Sequence, residues 1–262
     1  MVARLLQAET RREILRTRAY LLDYAANFAL FTLGFVLLTG LFELATEGSY
    51  STEAVLASAV GYLTWRVADG CLLRIAGGLA EDASWGTLEQ LFLSAISPHV
   101  ILAARSLVIF GSLVVQTALV AAVIFPLFGV WPALSWAAVI IFLLTMLGVF
   151  GLGYALAGLH LIFKNVASLT VAVSTALLFV TGALAPLDNV AWLDAITRLL
   201  PLTAGVRLLR ELTVYGMPVA DLWSNPDLYW LLGTTVAWLA IGWTLLTWGY
   251  RSARRQGSLA HY

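Results

Sequence analysis

Long apolar runs separated by short polar breaks dominate this chain, and each run is measured against the roughly 20 mostly apolar residues that a membrane-crossing helix needs. Residues 24–45 form the first run, with Glu43 only at its end. Residues 54–76 form a second of similar length that carries Arg66, Asp69 and Arg74. From Ser106 to Phe163 there is no Asp, Glu, Lys or Arg, too long a stretch for one crossing and long enough for two. The turn signal Phe128-Gly129-Val130-Trp131-Pro132 divides it into a third and a fourth helix. Residues 166–187, entered through Lys164-Asn165, are a fifth run. Residues 228–250 are a sixth, with Tyr229 and Trp230 at one end and Trp248 and Tyr250 at the other, the aromatic anchors expected at two membrane interfaces. The pattern predicts an all-α membrane protein of six transmembrane helices, folded as a single domain over residues 1–262.

Composition agrees and narrows the function. Hydrophobic residues make up 61% of the 262 and charged residues 11%, against about 45–50% and about 25% in soluble domains. A net charge of +0 offers phosphate no attraction and argues against nucleic acid as a partner. A lone cysteine, Cys71, excludes an intramolecular disulfide, and His99, His160 and His261 form no ligand-spaced set. The single lysine, Lys164, lies outside any G-x-x-x-x-G-K-[ST] loop, so the chain has no phosphate-cradling site of that kind. No nucleophile motif such as G-x-S-x-G appears, and catalysis is not expected. With the N-terminus cytoplasmic, Arg4, Arg11, Arg12, Arg16, Arg18, Arg74, Arg105, Lys164, Arg251, Arg254 and Arg255 fall inside, and only Arg198, Arg207 and Arg210 outside. That bias predicts both termini in the cytoplasm, and the first apolar stretch is too long, with no small-residue cleavage site after it, for a cleaved signal peptide to be expected. The preference for arginine over lysine fits a GC-rich bacterial genome, hence the bacterial plasma (inner) membrane.

Three segments outside the runs carry helical patterns of their own. In residues 1–23, Leu5, Leu6, Ile14 and Leu15 alternate with Arg11, Arg12, Arg16 and Arg18, as in an amphipathic helix lying on membrane lipid with its arginines at the headgroups; the alternative is a basic tail that only sets topology. Residues 77–104 contain Glu81, Asp82 and Trp85-Gly86-Thr87-Leu88-Glu89-Gln90-Leu91-Phe92 before Ser97-Pro98. Thr87 and Gln90 have capping-box spacing, and Leu88, Leu91 and Phe92 share a face. A short cytoplasmic helix there could dock into a soluble partner; the alternative is a helix resting on lipid, which the acidic flanks disfavour. Residues 188–227 hold Trp192, Leu193, Ile196, Leu199 and Leu200 at helical spacing, then, after Pro201, Val206, Leu209 and Leu212 with Arg207, Arg210 and Glu211. Two short external amphipathic helices explain this, either dipping into the membrane to cap a pathway or lying at the interface.

Arg66 and Asp69, three apart, share a face of the second helix. They either line a polar path or neutralise each other in packing, and the second reading is preferred for a lone couple. Gln116 is read as an interhelical hydrogen bond.

The ordered set of segments resembles the membrane subunit of ABC-2 type transporters, the exporter permeases of drugs, polysaccharides and lipid-linked glycans. Gly86-Thr87-Leu88-Glu89-Gln90-Leu91, followed by Ser97-Pro98 and a basic residue, Arg105, is similar to the cytoplasmic G-T-L-E-x-L segment of that family. Thr181-Gly182-Ala183-Leu184-Ala185-Pro186-Leu187 resembles the end of its fifth helix. Leu200-Pro201-Leu202-Thr203-Ala204-Gly205-Val206-Arg207 resembles its N-P-L-T signature, with Leu200 in place of the usual Asn and Ala204 where an aromatic is common. The resemblance implies a second permease copy, identical or paralogous, and two copies of a separate ATP-binding cassette subunit. ATP and magnesium would then sit on that partner, and no cofactor on this chain. It further implies a coupling helix at Glu81 and Trp85 to Phe92, an interface helix at residues 1–23, and external re-entrant helices with Pro186, Pro201 and Arg207 as candidate gate residues. A gradient-driven secondary transporter with Arg66 and Asp69 as its relay is the competing class. The absence of an inverted repeat and the scarcity of acids at membrane depth count against it.

Overall fold

The computed structural model describes residues 2–45, 51–84, 97–163, 166–182 and 197–255. Among these the secondary structure is entirely helical: α1 (Val2–Ala19), α2 (Leu21–Ala45), α3 (Thr52–Ser84), α4 (Pro98–Phe128), α5 (Trp136–Phe163), α6 (Ala167–Val180), α7 (Pro201–Thr213), a short 3-10 helix (Val219–Ser224) and α8 (Pro226–Arg255). Helices stand in all six places where the apolar runs put them. Four of them, α2, α4, α5 and α8, are long and apolar enough to cross a membrane. α3 has 33 residues but carries charge at Arg66, Asp69 and Arg74, and α6 has 14 described residues. The coupling residues Trp85, Gly86, Thr87, Leu88, Glu89, Gln90, Leu91 and Phe92, the gate residue Pro186 and most of the first external helix lie outside the described residues.

Local chemistry sets the helix ends. α4 begins with Pro98 at its first position, where the missing N–H costs nothing and the fixed φ suits a helix. It ends at Gly129, whose φ of 65° is left-handed, while Val130 N–H reaches back to Phe125 C=O at 3.0 Å. The predicted break in the long uncharged run is thus a glycine cap.

α5 is the axis of the bundle. It packs along α8 and against α3 and α7, and a ladder of buried residues runs its length. The α5–α8 contact is a seam of glycines: a methyl added at Gly249 would lie 2.6 Å from the Gly158 carbonyl oxygen, and one added at Gly242 would collide with the Gly151 carbonyl. Small residues at such crossings let two backbones touch, the usual source of cohesion where lipid cancels the hydrophobic drive. A larger core joins Leu72 and Ile75 of α3 with Leu113 and Ile124 of α4, Met146 of α5, Leu177 of α6 and Leu202 of α7. α2 is peripheral, burying only Phe35 and Thr39 and turning Leu30, Leu37, Leu41 and Leu44 outward.

α7 departs from an interfacial amphipathic helix. Nearly every residue from Pro201 to Thr213 is buried, Arg210 included. Pro201 sits on Gly148 of α5, where an added methyl would come within 2.5 Å of its ring, and Gly205 packs on Thr145. The strong polar face pointed to a water boundary, but its partners are other protein groups.

Candidate functional site

Two cavities flank the junction of α2, α3 and α4. The larger, about 1060 Å3, lies between α1–α2 and α4, with walls of Phe28, Val115, Leu119 and Val123. The second, about 920 Å3, lies towards α3 and includes Asp69, Arg74 and Glu81. Tyr24, Asn27, Phe31, Arg66 and Gln116 line both.

Arg66 sits midway along α3 and is 7% exposed. Its guanidinium carbon lies 3.7 Å from the centre of the Phe31 ring on α2, a cation–π contact. An aromatic group holds that ring in place: Tyr62 donates its hydroxyl to the Phe31 carbonyl at 2.9 Å, and the Trp65 ring centre is 6.1 Å away. Asp69 does not close an ion pair with Arg66. It accepts a short hydrogen bond from Ser174 of α6, while Trp65 donates to the Ser174 carbonyl at 2.9 Å. The two charges attract across the intervening turn, but each has its own neighbour: one stitches α3 to α2, the other α3 to α6. A buried guanidinium needs compensating contacts, and the Phe31 ring supplies one.

Beneath the cavities, α1 is braced to the bundle by charge. Glu13 takes Arg74 of α3 at 2.5 and 2.6 Å, Ser112 of α4 at 2.9 Å and the Tyr24 hydroxyl at 3.4 Å. Gln116 donates to Ser112 at 2.9 Å, so it bonds one turn back on its own helix and reaches α1 through that hydroxyl; the expected direct interhelical bond is not what forms. A second knot joins Arg105 of α4 to Asp82 of α3 at 2.5 Å and to Glu9 of α1 at 3.7 Å, with Arg12 4.0 Å from Asp82. Burial pushes the Glu13 carboxyl up, but Arg74, Ser112 and Arg16 outweigh it and hold the group below the usual carboxylate range. The inward stripe of α1 is therefore Leu5, Glu9, Glu13 and Thr17, and Ile14 and Leu15, about half exposed, lie off that stripe. In the sequence pattern the arginines of this segment mask Glu9 and Glu13. Their four-residue spacing in line with Leu5 and Thr17 was the available signal. Ser112 and Ser174 offered none, since serines are ordinary in apolar helices.

At the opposite end, a polar pocket of about 260 Å3 is lined by Thr203, Arg207, Arg210, Glu211 and Asp227. Of the candidate gate residues, Arg207 faces this pocket and Pro201 is packed away on α5. Arg210 donates its Nε–H to the Ala57 carbonyl of α3 at 2.8 Å, and Asn225 donates to Glu211 at 2.5 Å. Burial raises the Glu211 carboxyl above its usual range against the pull of Asn225. Arg210→Met keeps the stem and removes the donor, and should lower stability by about 2 kcal/mol. A melting curve in detergent checks this, and an unchanged midpoint would mean the bond to Ala57 does not anchor α7. Glu81, at the end of α3, is exposed and borders the second cavity.

Among the described residues no group of His, Cys, Asp and Glu could hold a metal ion. The comparison with curated proteins finds no match. The model of the family described as ABC-2 family transporter protein matches residues 19–244, from the end of α1 into α8. A match over so much of the sequence, on an all-helical bundle with several apolar spans, places this chain in the ABC-2 family of transporter proteins.

Proposed function

We propose that this chain is the permease subunit of an ATP-driven exporter in the bacterial plasma membrane. It acts as a dimer with two separate ATP-binding subunits and moves a drug, lipid or lipid-linked glycan outward. α2 to α6 and α8 are its six crossings, both termini are cytoplasmic, and the segment around Gly86 to Leu91 docks into the ATP-binding partner. ATP and magnesium belong to that partner. The brace at the α1 end is the observation that carries this reading. In sequence, residues 85–96 connect the end of α3 to the start of α4, and those two helices are joined near these ends by Asp82–Arg105 and tied to α1 through Glu9 and Glu13. A push delivered through that segment would reach α1, α3 and α4 together, which favours rigid-body switching over local deformation. At the far end α7, inserted against α5 and α8, is suited to closing the exit with Arg207 at its polar pocket.

The test is co-purification with the ATP-binding protein encoded beside this chain, followed by hydrolysis and transport assays. Glu89→Arg should alter hydrolysis by the complex, and Leu91→Asp or Gly86→Trp should cut transport at least tenfold while leaving membrane insertion intact. Parental transport by these variants would remove the coupling assignment. Flux that needs a gradient and no ATP would support the secondary-transporter reading instead.

A further inference from the structure

We propose that the crevice between α2 and α4 binds an anionic amphiphile, its phosphate or carboxylate headgroup on Arg66 and its apolar chain along Phe28, Val115, Leu119 and Val123. As a binding site this stands by itself; as the route of the exported solute it rests on the exporter reading above.

Arg66 supplies the headgroup chemistry. It is 93% shielded by protein, yet among the described residues no hydrogen-bond acceptor meets its guanidinium, which lies over the face of Phe31. The nearest acid, Asp69, is occupied by Ser174, and Glu13 by Arg74 and Ser112. The guanidinium borders both cavities and lies beside Gly70, where an added methyl would come within 3.1 Å of Nη1. A planar fork of N–H donors without an acceptor, at membrane depth, matches a phosphate or carboxylate.

The walls supply the rest. Away from Arg66, the α1 end and the polar Asn27, Ser112 and Gln116, the larger cavity is lined by aliphatic and aromatic side chains, and Val115, Leu119 and Val123 are substantially exposed. A solute can therefore enter sideways from the lipid without crossing water. A volume near 1060 Å3 suits one or two hydrocarbon chains and not a glycan polymer. A cationic drug would be repelled by Arg66, and a neutral one would leave the guanidinium bare.

The probe is dodecyl phosphate bearing a diazirine at its chain end, photolysed with the full chain in nanodiscs of zwitterionic lipid, with the dodecylphosphocholine analogue as control. The phosphate probe should label α2 and α4 peptides at least fivefold more than the phosphocholine probe. Arg66→Gln should abolish that preference, and Arg66→Lys should keep part of it. Leu119→Trp, which fills the crevice without touching a charge, should reduce labelling in a protein whose melting point is unchanged. Equal labelling by the two probes, or parental preference in Arg66→Gln, overturns the site. In the complex with the ATP-binding partner, unlabelled dodecyl phosphate should stimulate hydrolysis of the parent and not of Arg66→Gln. Selective labelling without stimulation overturns the assignment as exported solute and leaves a lipid site. A complex that neither forms nor hydrolyses ATP with any probe overturns the exporter reading, while the labelling result is unaffected.

Discussion

Gly242→Val should leave almost no folded protein after detergent extraction, while Gly233→Val on the same helix should behave as the parent. The first added Cβ falls on the Gly151 carbonyl, which is backbone and cannot rotate aside. Relief requires α5 and α8 to separate, and their neighbours along the seam, Gly158 and Gly249, are equally close. Forcing methyl groups into a filled contact costs about 3 kcal/mol, a large share of the stability of a typical domain. At Gly233 nothing lies within 4 Å of the added carbon, so the helix-forming and β-branched effects of valine are tested without the collision. Size-exclusion profiles and melting points of the two variants decide the matter. Similar losses in both would mean that α8 dislikes valine anywhere, and the seam would lose its special standing.

The second large effect is expected at Glu13. Glu13→Ala removes the acceptor shared by Arg74, Ser112 and Tyr24 and leaves the Arg74 guanidinium without its carboxylate. Losing a hydrogen bond between charged partners costs about 2 kcal/mol, which corresponds to about a thirtyfold greater open population of α1 and a matching rise in trypsin cutting. Arg11, Arg16 and Arg18 are exposed and offer the cleavage points. Cutting of Arg74→Gln should rise similarly, and the double variant should fall well short of the sum, because either change breaks the same contact. Full additivity would show that the two groups act separately. The pH response has a definite sign. Glu13 is held below the usual carboxylate range in the folded protein, so its contribution is complete above that range and is lost as pH falls through it to the depressed value. Protection of α1 from an acid-active protease should therefore stay level from neutrality to mild acid and then drop. In Glu13→Gln the share of that drop owed to this carboxylate should vanish.

Much of the architecture was legible because membrane helices must be apolar for a fixed length and must stop where glycine or proline stops them. The division at Gly129 needed only those two facts, whereas α4 starts at Pro98, ahead of the uncharged run that begins at Ser106. What could not be read was the identity of the partners. The polar face of α7 is plain in the sequence, but the same face would suit water, lipid headgroups or the Ala57 carbonyl that Arg210 meets. Arg66 and Asp69 share a helix face, yet helix spacing says nothing of Phe31 and Ser174, which come from other helices and leave the two acting apart. Gly151 and Gly242 are uninformative singly. Their spacing with Gly158 and Gly249 acquires meaning only once α5 and α8 are known to face each other.

The brace on α1 also bears on how the protein is made. α1 leaves the ribosome first, but Arg74 follows Glu13 by 61 positions and Ser112 by 99. Chains are synthesised at roughly 5–20 residues per second, so the nascent N-terminus waits several seconds for its counter-charges. During that wait its arginines have only the lipid headgroups and the acids of α1 itself to meet, as Arg12 meets Glu9. The helix would therefore be held first at the bilayer surface and drawn against the bundle only when α4 is inserted, making the closing of the brace a late step of biogenesis.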